Sequence, residues 1–145
     1  MTTAERYHDI SVGHRVFGHE NKCRFLHGHN YRIHFVLKSE DSKDELDSIG
    51  RVIDFSVIKS KLCMWLEDNW DHKFLIWEKD DLKEKILELH KESIVVVPFN
   101  PTAENMAKYL VEVIAIKQLQ FTGAVLIECR VEETRKCTAT YKTDK

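Results

Sequence analysis

The segment that decides the fold of this 145-residue chain reads Cys23-Arg24-Phe25-Leu26-His27-Gly28-His29-Asn30-Tyr31 and continues to Lys38. Four large apolar residues share one parity in its second half: Tyr31, Ile33, Phe35 and Leu37. An apolar side chain at every second position predicts a β-strand with one buried face. Because residues two apart on a strand project from the same face, His27 and His29 are expected to extend that face past its buried part.

The two histidines of this segment can direct their imidazoles at one metal ion, and Gly28 between them removes side-chain bulk. Imidazole is a good zinc ligand, and a catalytic zinc site usually takes three protein ligands and leaves one position open. A third donor is required, because a His-x-His pair alone is also typical of ordinary core or surface histidines. Local spacing allows His8 and His14 on the preceding strand, and His19 in the loop after that strand.

A thiol precedes the histidine pair by four residues, at Cys23, between Lys22 and Arg24. Two flanking cations favour the thiolate, so Cys23 is a candidate base or nucleophile, although the same charges could simply solvate a loop. Cys63 lies in an apolar helical stripe and Cys129 in a predicted strand, which is the pattern of inert buried cysteines.

The composition is that of an ordinary globular protein, with 43% hydrophobic and 32% charged residues. The formal net charge of -2 gives no global field that would attract nucleic acid or anionic membranes. No apolar run approaches the roughly 20 residues of a membrane span, and the first ten residues lack the apolar core of a signal peptide. Four cysteines without a Cys-x-x-Cys pair predict reduced thiols, so we expect one cytoplasmic domain over residues 1–145.

Periodicity divides the rest of the chain into helices and strands. Helical stripes are predicted over residues 54–69 and after Asn100-Pro101, which is interpreted as an N-cap followed by proline at the first helical position. The charged segment 80–92 also has helical spacing, whereas residues 70–77 are interpreted as a loop. Strands are predicted over residues 7–17, 30–38, 51–53, 124–131 and 136–141, with a short apolar run over 93–99. This order predicts an α+β fold with a mostly antiparallel sheet.

Five motifs that span nearly the whole chain together resemble the 6-pyruvoyl-tetrahydropterin synthase family. In chain order they are Gly13-His14-Arg15, Cys23-x3-His27-Gly28-His29-Asn30-Tyr31, Trp70-Asp71-His72-Lys73, Pro101-Thr102-Ala103-Glu104-Asn105 and Val131-Glu132-Glu133-Thr134. Each motif is weakly specific alone, and the five together are specific. The three-residue gap between Cys23 and His27 is similar to that of the bacterial 6-carboxy-tetrahydropterin synthases of the 7-deazaguanine (queuosine) route.

The resemblance implies a T-fold, also called the tunnelling fold. This fold is a four-stranded antiparallel sheet with two helices on one face, in the order ββααββ. It also implies a homohexamer, in which the sheets of three subunits close a barrel and two trimers stack. The charged segment 80–92 departs from compact members of the family and is expected to be an insertion in the single domain.

The resemblance further implies one Zn2+ per chain, held by three matching histidines, His14, His27 and His29. It implies proton transfer by three more matching residues, Cys23, Asp71 and His72. In such a set a carboxylate orients an imidazole and stabilises its charged form, while the imidazole exchanges protons. Because adjacent residues rarely form a useful hydrogen bond with each other, Asp71 and His72 are expected to serve a site built partly by a neighbouring subunit. The alternative is an ordinary surface turn.

For the substrate, the resemblance implies a pterin bound by Glu133. A carboxylate is a natural acceptor for the 2-amino group and a ring N–H of a pterin. The family's residue precedes a threonine, which selects Glu133 over Glu132. Thr102 and Glu104 are weaker substrate-binding candidates, because a helix cap and a first-turn acid explain them equally well.

The activity implied is that of a zinc-dependent lyase that converts 7,8-dihydroneopterin triphosphate to 6-carboxy-5,6,7,8-tetrahydropterin, acetaldehyde and triphosphate. Two alternatives stay within the family: formation of 6-pyruvoyl-tetrahydropterin, or release of 6-hydroxymethyl-dihydropterin. An alternative of another class is a non-catalytic T-fold scaffold that holds zinc and binds a pterin or a purine. No nucleic acid or membrane partner is expected.

Overall fold

The computed structural model describes residues 1–43 and 45–144. Over these residues the chain forms one six-stranded mixed sheet and three helices, and no helix among them is long and apolar enough to cross a membrane. The strands are β1 (Ala4–His14), β2 (His27–Ser39), β3 (Lys73–Trp77), β4 (Ile94–Val97), β5 (Ala124–Glu133) and β6 (Cys137–Lys142). The helices are α1 (55–69), α2 (Lys83–Leu89) and α3 (103–118).

The centre of the sheet is the antiparallel hairpin of β1 and β2, paired from Ala4 opposite Leu37 to His14 opposite His27. The predicted buried face of β2 is confirmed, because four alternate side chains are at most 1% exposed: Tyr31, Ile33, Phe35 and Leu37. Strand β2 begins at His27, three residues before the predicted start, so the histidine pair lies on the strand itself. Strand β5 pairs antiparallel with β2, and β6 pairs with β5.

The expectation of four antiparallel strands is wrong, because β3 and β4 extend the sheet beyond β1 with parallel pairing. Both strands lie in segments that were interpreted as a loop and a short apolar run. They have five and four residues, too few for a clear period. Leu75 and Ile76 are adjacent and both fully buried, as expected of a parallel strand covered on both faces. Residues 51–53, predicted as a strand, form no strand.

The expectation of two helices is also incomplete, since the charged segment 80–92 contains α2. The long helices α1 and α3 supply the core with residues at helical spacing, including Ile58, Leu62 and Leu66 from α1 and Met106, Leu110 and Ile114 from α3. Each contains one wider π turn, Lys59–Cys63 in α1 and Leu110–Ile114 in α3. Together these helices cover the face of the central hairpin that carries the buried row.

The N-cap of α3 is Thr102 rather than Asn100. The Thr102 hydroxyl accepts a hydrogen bond from the backbone N–H of Asn105 at 3.1 Å. Asn100 is used elsewhere, because its side chain accepts from the Phe17 N–H at 3.0 Å and donates to the Phe17 carbonyl at 2.9 Å. The proline at 101 therefore precedes the cap, and its carbonyl is free to bond a side chain from the sheet.

Candidate metal centre and active site

Three histidines meet where the central hairpin ends: His14 is the last residue of β1, and His27 and His29 open β2. One ring nitrogen from each lies within 4.8 Å of the other two. The strands approach closely here, because a β-carbon added at Gly28 would lie 3.0 Å from the Val12 carbonyl oxygen. A glycine between the two histidines therefore lets the strands bring all three rings together.

Backbone carbonyls define which nitrogens of this histidine cluster carry protons. His14 Nδ1 lies 2.6 Å from the Pro101 oxygen, and His27 Nδ1 lies 2.7 Å from the Phe25 oxygen. A carbonyl oxygen can only accept, so both Nδ1 atoms donate, and Nε2 is the ring nitrogen that each residue can offer to a metal. These two Nε2 atoms are 3.0 Å apart, and the buried His29 Nε2 has no hydrogen-bond partner among the described residues. Lone pairs this close repel one another unless a cation lies between them.

The donor set fits zinc. Zinc–nitrogen bonds of about 2.0–2.1 Å at tetrahedral angles put two donors about 3.3 Å apart, close to the observed Nε2 separation of the first pair. Burial lowers the pKa of His14 to about 4 and also lowers the pKa of His29. Both rings are therefore neutral near pH 7, which is the form that binds a metal.

The rival histidines have other partners. His8 Nε2 lies 2.7 Å from Glu67 Oε1 on α1, and His19 Nδ1 accepts a hydrogen bond from the Asn21 N–H at 2.9 Å. Among the described residues, the imidazole that clusters with His27 and His29 is that of His14.

Glu133 lies beside the histidine cluster, at the end of β5 and opposite Tyr31. The Tyr31 hydroxyl donates to Glu133 Oε1 at 3.1 Å, and the same oxygen lies 3.6 Å from His29 Nε2 and 3.9 Å from His14 Nε2. Burial, together with Glu133, raises the pKa of Tyr31, which keeps its hydroxyl protonated as a donor. Glu132 is on the opposite sheet face, where it contacts His34.

Asp71 and His72 form a hydrogen-bonded pair, contrary to the expectation for adjacent residues. His72 Nδ1 is 2.8 Å from Asp71 Oδ2, and a positive φ of 60° at His72 turns the chain so that the two side chains meet. Ser11 anchors the turn, since its N–H donates to Asp71 Oδ1 at 2.8 Å and its carbonyl accepts from the His72 N–H at 2.7 Å. Burial alone would raise the pKa of Asp71, but the Ser11 N–H and His72 outweigh it and lower the pKa.

An open groove of about 740 Å³ is lined by Asp71, His72 and one member of the histidine cluster, His29. The His72 side chain is 79% exposed. Arg32 and Arg135 line the same groove.

Cys23 is half-buried in the short 3-10 turn Lys22–Arg24 that precedes β2, and its carbonyl accepts from the Val16 N–H at 2.8 Å. It is not among the residues that line the groove beside His72. Burial raises the pKa of the Cys63 and Cys129 thiols, as expected of inert cysteines.

Of the two weaker candidates, Thr102 is the helix cap of α3 and Glu104 is exposed in its first turn. Both positions agree with the structural alternatives given above, a helix cap for Thr102 and a first-turn acid for Glu104. The turn that Thr102 begins also places the Pro101 carbonyl against His14.

Sequence reasoning missed an ion pair that holds the loop between β1 and β2. Arg15 Nε lies 2.7 Å from Asp80 Oδ2, and Arg15 Nη2 lies 3.0 Å from Asp81 Oδ1. A third guanidinium nitrogen, Nη1, lies 3.4 Å from the Arg24 carbonyl oxygen, next to Cys23. Two aspartates of the charged segment 80–92 therefore hold, through Arg15, the loop that contains the Cys23 thiol. The motif Gly13-His14-Arg15 contains the arginine, but no local pattern identifies a partner 65 residues away.

Asp80→Asn is expected to lower the free energy of unfolding by about 3 kcal/mol, the lower end of the cost of breaking a buried ion pair. The Asp80 side chain is fully buried and that of Arg15 is 14% exposed, so the substitution would leave this guanidinium with only the exposed Asp81 as an acidic partner. Urea denaturation followed by circular dichroism measures the change. Asp81→Asn is the control, because the Asp81 side chain is 70% exposed and its loss should change little. Equal stability of the two variants would contradict this prediction.

Comparison with known proteins agrees with this geometry. The family profile described as 6-pyruvoyl tetrahydropterin synthase matches residues 3–144. A 6-carboxy-5,6,7,8-tetrahydropterin synthase from Rickettsia typhi is 34% identical over 138 residues, covering 94% of this chain and 97% of the relative, and its Rickettsia felis counterpart is 33% identical over the same length.

Among solved structures, an uncharacterized protein from Wolinella succinogenes has a TM-score of 0.84 at 26% identity, covering 99% of this chain and 98% of that one. The 6-pyruvoyl tetrahydropterin synthase of Caenorhabditis elegans has a TM-score of 0.64 at 26% identity, covering 99% and 96%. The fold and the histidine cluster define a T-fold protein of the pterin-synthase type. The chain belongs to the 6-pyruvoyl tetrahydropterin synthase family, as its motifs predict.

Proposed function

We propose that this protein is a zinc-dependent 6-carboxy-5,6,7,8-tetrahydropterin synthase. Its substrate would be 7,8-dihydroneopterin triphosphate, and its products 6-carboxytetrahydropterin, acetaldehyde and triphosphate, the first of which would enter the 7-deazaguanine (queuosine) route. The observation that carries the proposal is the convergence of one ring nitrogen from each of three histidines beside the Glu133 carboxylate. The names of the Rickettsia relatives, which are 6-carboxy-5,6,7,8-tetrahydropterin synthases, support the same activity.

His14, His27 and His29 would hold Zn2+ through their Nε2 atoms, while the Pro101 and Phe25 carbonyls keep two of the rings oriented. Bound there, zinc supplies Lewis-acid stabilisation of negative charge on the side-chain oxygens of the substrate.

Glu133 would bind the pterin ring, accepting the 2-amino group and one ring N–H, and so direct the side chain of the substrate toward the histidines. The Tyr31 hydroxyl holds this carboxylate in place from the buried side. Cys23, as the thiolate, would remove a proton from the substrate side chain. Triphosphate then leaves by elimination to give a methyl ketone, and the remaining side-chain hydroxyl carbon is oxidised to a ketone as the dihydropterin ring takes up its two electrons. Water would add to the carbonyl carbon next to the ring, and cleavage of the bond between the two carbonyl carbons would release acetaldehyde and leave the 6-carboxylate.

His72 would return or relay protons, with Asp71 holding the ring and stabilising its charged form. The dyad is complete within one chain, but it is exposed, and the thiol is not in its groove. We therefore propose that the working site joins the dyad of one subunit with the thiol of a neighbour, in a homohexamer built as two stacked trimers. Mass photometry of the purified protein tests the hexamer.

Incubation with 7,8-dihydroneopterin triphosphate, followed by mass spectrometry of the products, tests the activity. We expect 6-carboxytetrahydropterin together with acetaldehyde. Accumulation of 6-pyruvoyl-tetrahydropterin or 6-hydroxymethyl-dihydropterin would assign the protein to another reaction of the same family. Binding of the substrate without any product would indicate a non-catalytic pterin scaffold.

Glu133→Gln is expected to weaken pterin binding by about 1–3 kcal/mol, because one acceptor oxygen becomes a donor that faces a ring donor. Fluorescence quenching on titration with a pterin measures the affinity. The matched control is Glu132→Gln, since that side chain lies on the opposite face of the sheet. Unchanged affinity in Glu133→Gln would remove this carboxylate from the pterin site.

A further inference from the structure

Four electron-pair donors, not three, face the space inside the histidine cluster. Besides the Nε2 atoms of His14, His27 and His29, there is the Oε1 atom of Glu133, at 3.6 Å from His29 Nε2 and 3.9 Å from His14 Nε2. Donors around one zinc ion lie about 3.3 Å apart when the bonds are 2.0–2.1 Å long. The separation of 3.0 Å between His14 Nε2 and His27 Nε2 is shorter than this value, and the two distances to Glu133 Oε1 are longer.

The position of the Glu133 oxygen is imposed by its surroundings. The backbone of Glu133 is paired with Tyr31 in the ladder between β5 and β2, and the fully buried Tyr31 donates its hydroxyl hydrogen to Oε1. The Tyr31 oxygen also lies 3.3 Å from His14 Nε2. The tyrosine therefore holds one carboxylate oxygen against the cluster, while 28% of the Glu133 side chain stays exposed to an incoming ligand.

We propose that Glu133 is a fourth metal ligand in the substrate-free protein and that the pterin ring removes it from the metal. The inference rests on the proposed function, in which the same carboxylate accepts two N–H groups of the pterin. Oε1 already accepts from the Tyr31 hydroxyl, so a pterin N–H on the same oxygen takes its second lone pair and leaves none for the metal. Metal and pterin thus compete for one side chain.

Carboxylate oxygen is an ordinary zinc ligand, and four protein ligands make a closed site, whereas a catalytic site keeps one position open. In the resting protein Glu133 closes the site against water and stray anions. Seating of the ring opens a coordination position where the substrate side chain arrives. The carboxylate therefore has two roles. It binds the pterin ring, and it leaves the fourth coordination position of the metal open only when the ring is bound.

Cobalt substitution tests this directly, since the visible absorption of bound Co2+ depends on coordination number and geometry. We compare the Co2+ forms of the wild type, Glu133→Gln and Glu132→Gln without any pterin. The expected result is an altered spectrum in Glu133→Gln and a wild-type spectrum in Glu132→Gln. Adding 6-methylpterin, which has the ring but no side-chain hydroxyl, should convert the wild-type spectrum to the type seen in Glu133→Gln. Identical spectra of the pterin-free wild type and Glu133→Gln would overturn the proposal.

Zinc affinity, measured by competition with a chromophoric chelator, is an independent readout. Glu133→Gln should bind zinc at least about tenfold more weakly, the lower end of what losing even an outer contact of a metal site costs. Equal affinity in the two proteins would also overturn the inference.

The outcome is separable from that of the proposed function. The pterin-free spectra and the zinc affinity report on metal ligation alone. A 6-methylpterin titration followed by fluorescence tests pterin binding. A protein that binds no pterin but shows the spectral difference would refute the pterin assignment and keep the ligation.

Discussion

Replacing His29 by Ala is expected to remove bound zinc and to abolish turnover. His29 Nε2 is buried and has no hydrogen-bond partner among the described residues, so metal binding is the role that its geometry supports. Changes outside the ligand set of a metal site typically cost about 10–100-fold in affinity, and removal of a ligand should cost more. Elemental analysis of the purified variant, together with the product assay, measures both effects.

His8→Ala is the matched histidine control for this experiment. His8 lies on the same strand face as His14 but contacts Glu67 on α1. It should keep a full complement of zinc. Full zinc occupancy in His29→Ala, or metal loss confined to His8→Ala, would show that the three-histidine assignment is wrong.

Cys23→Ala is expected to keep zinc and the fold while losing turnover by about 10²–10⁴-fold, the usual contribution of a general base. The side chain is half-buried in a surface turn, so its removal creates little cavity. Steady-state kinetics with 7,8-dihydroneopterin triphosphate, alongside zinc analysis and thermal melting, separates a chemical defect from a structural one.

The control thiol is Cys137, which is exposed on the edge strand β6. Cys137→Ala should retain near-normal rates. Should that variant lose activity while Cys23→Ala keeps it, the base has been assigned to the wrong cysteine.

The central hairpin and the histidine pair could be predicted from sequence because both depend on local periodicity. Alternation in β2 defines the buried face, and the same parity places His27 and His29 on that face. The third donor could not be chosen locally, since His8 and His14 share one parity. The register of the hairpin separates them, because His14 lies opposite His27 whereas His8 lies opposite Ile33 and contacts Glu67.

The edge of the sheet was missed because its strands are too short to show a period. Strand β3 has five residues and β4 has four, and a parallel strand buried on both faces shows no alternation. The hydrogen bond between Asp71 and His72 escaped prediction for another reason, although both residues were predicted as proton-transfer residues. It requires a left-handed backbone at His72, a conformation that a non-glycine residue adopts rarely and that local sequence does not indicate.

The bond between His14 Nδ1 and the Pro101 carbonyl links metal loading to the docking of α3. Pro101 immediately precedes the cap of that helix, so a ligand that fixes the imidazole also fixes where α3 begins. Any ligand that binds only the folded chain stabilises it by mass action. A metal-free chain would therefore lose this stabilisation together with its activity, and we expect a protease to cleave it first at the first turn of α3, which the metal-bound imidazole no longer holds.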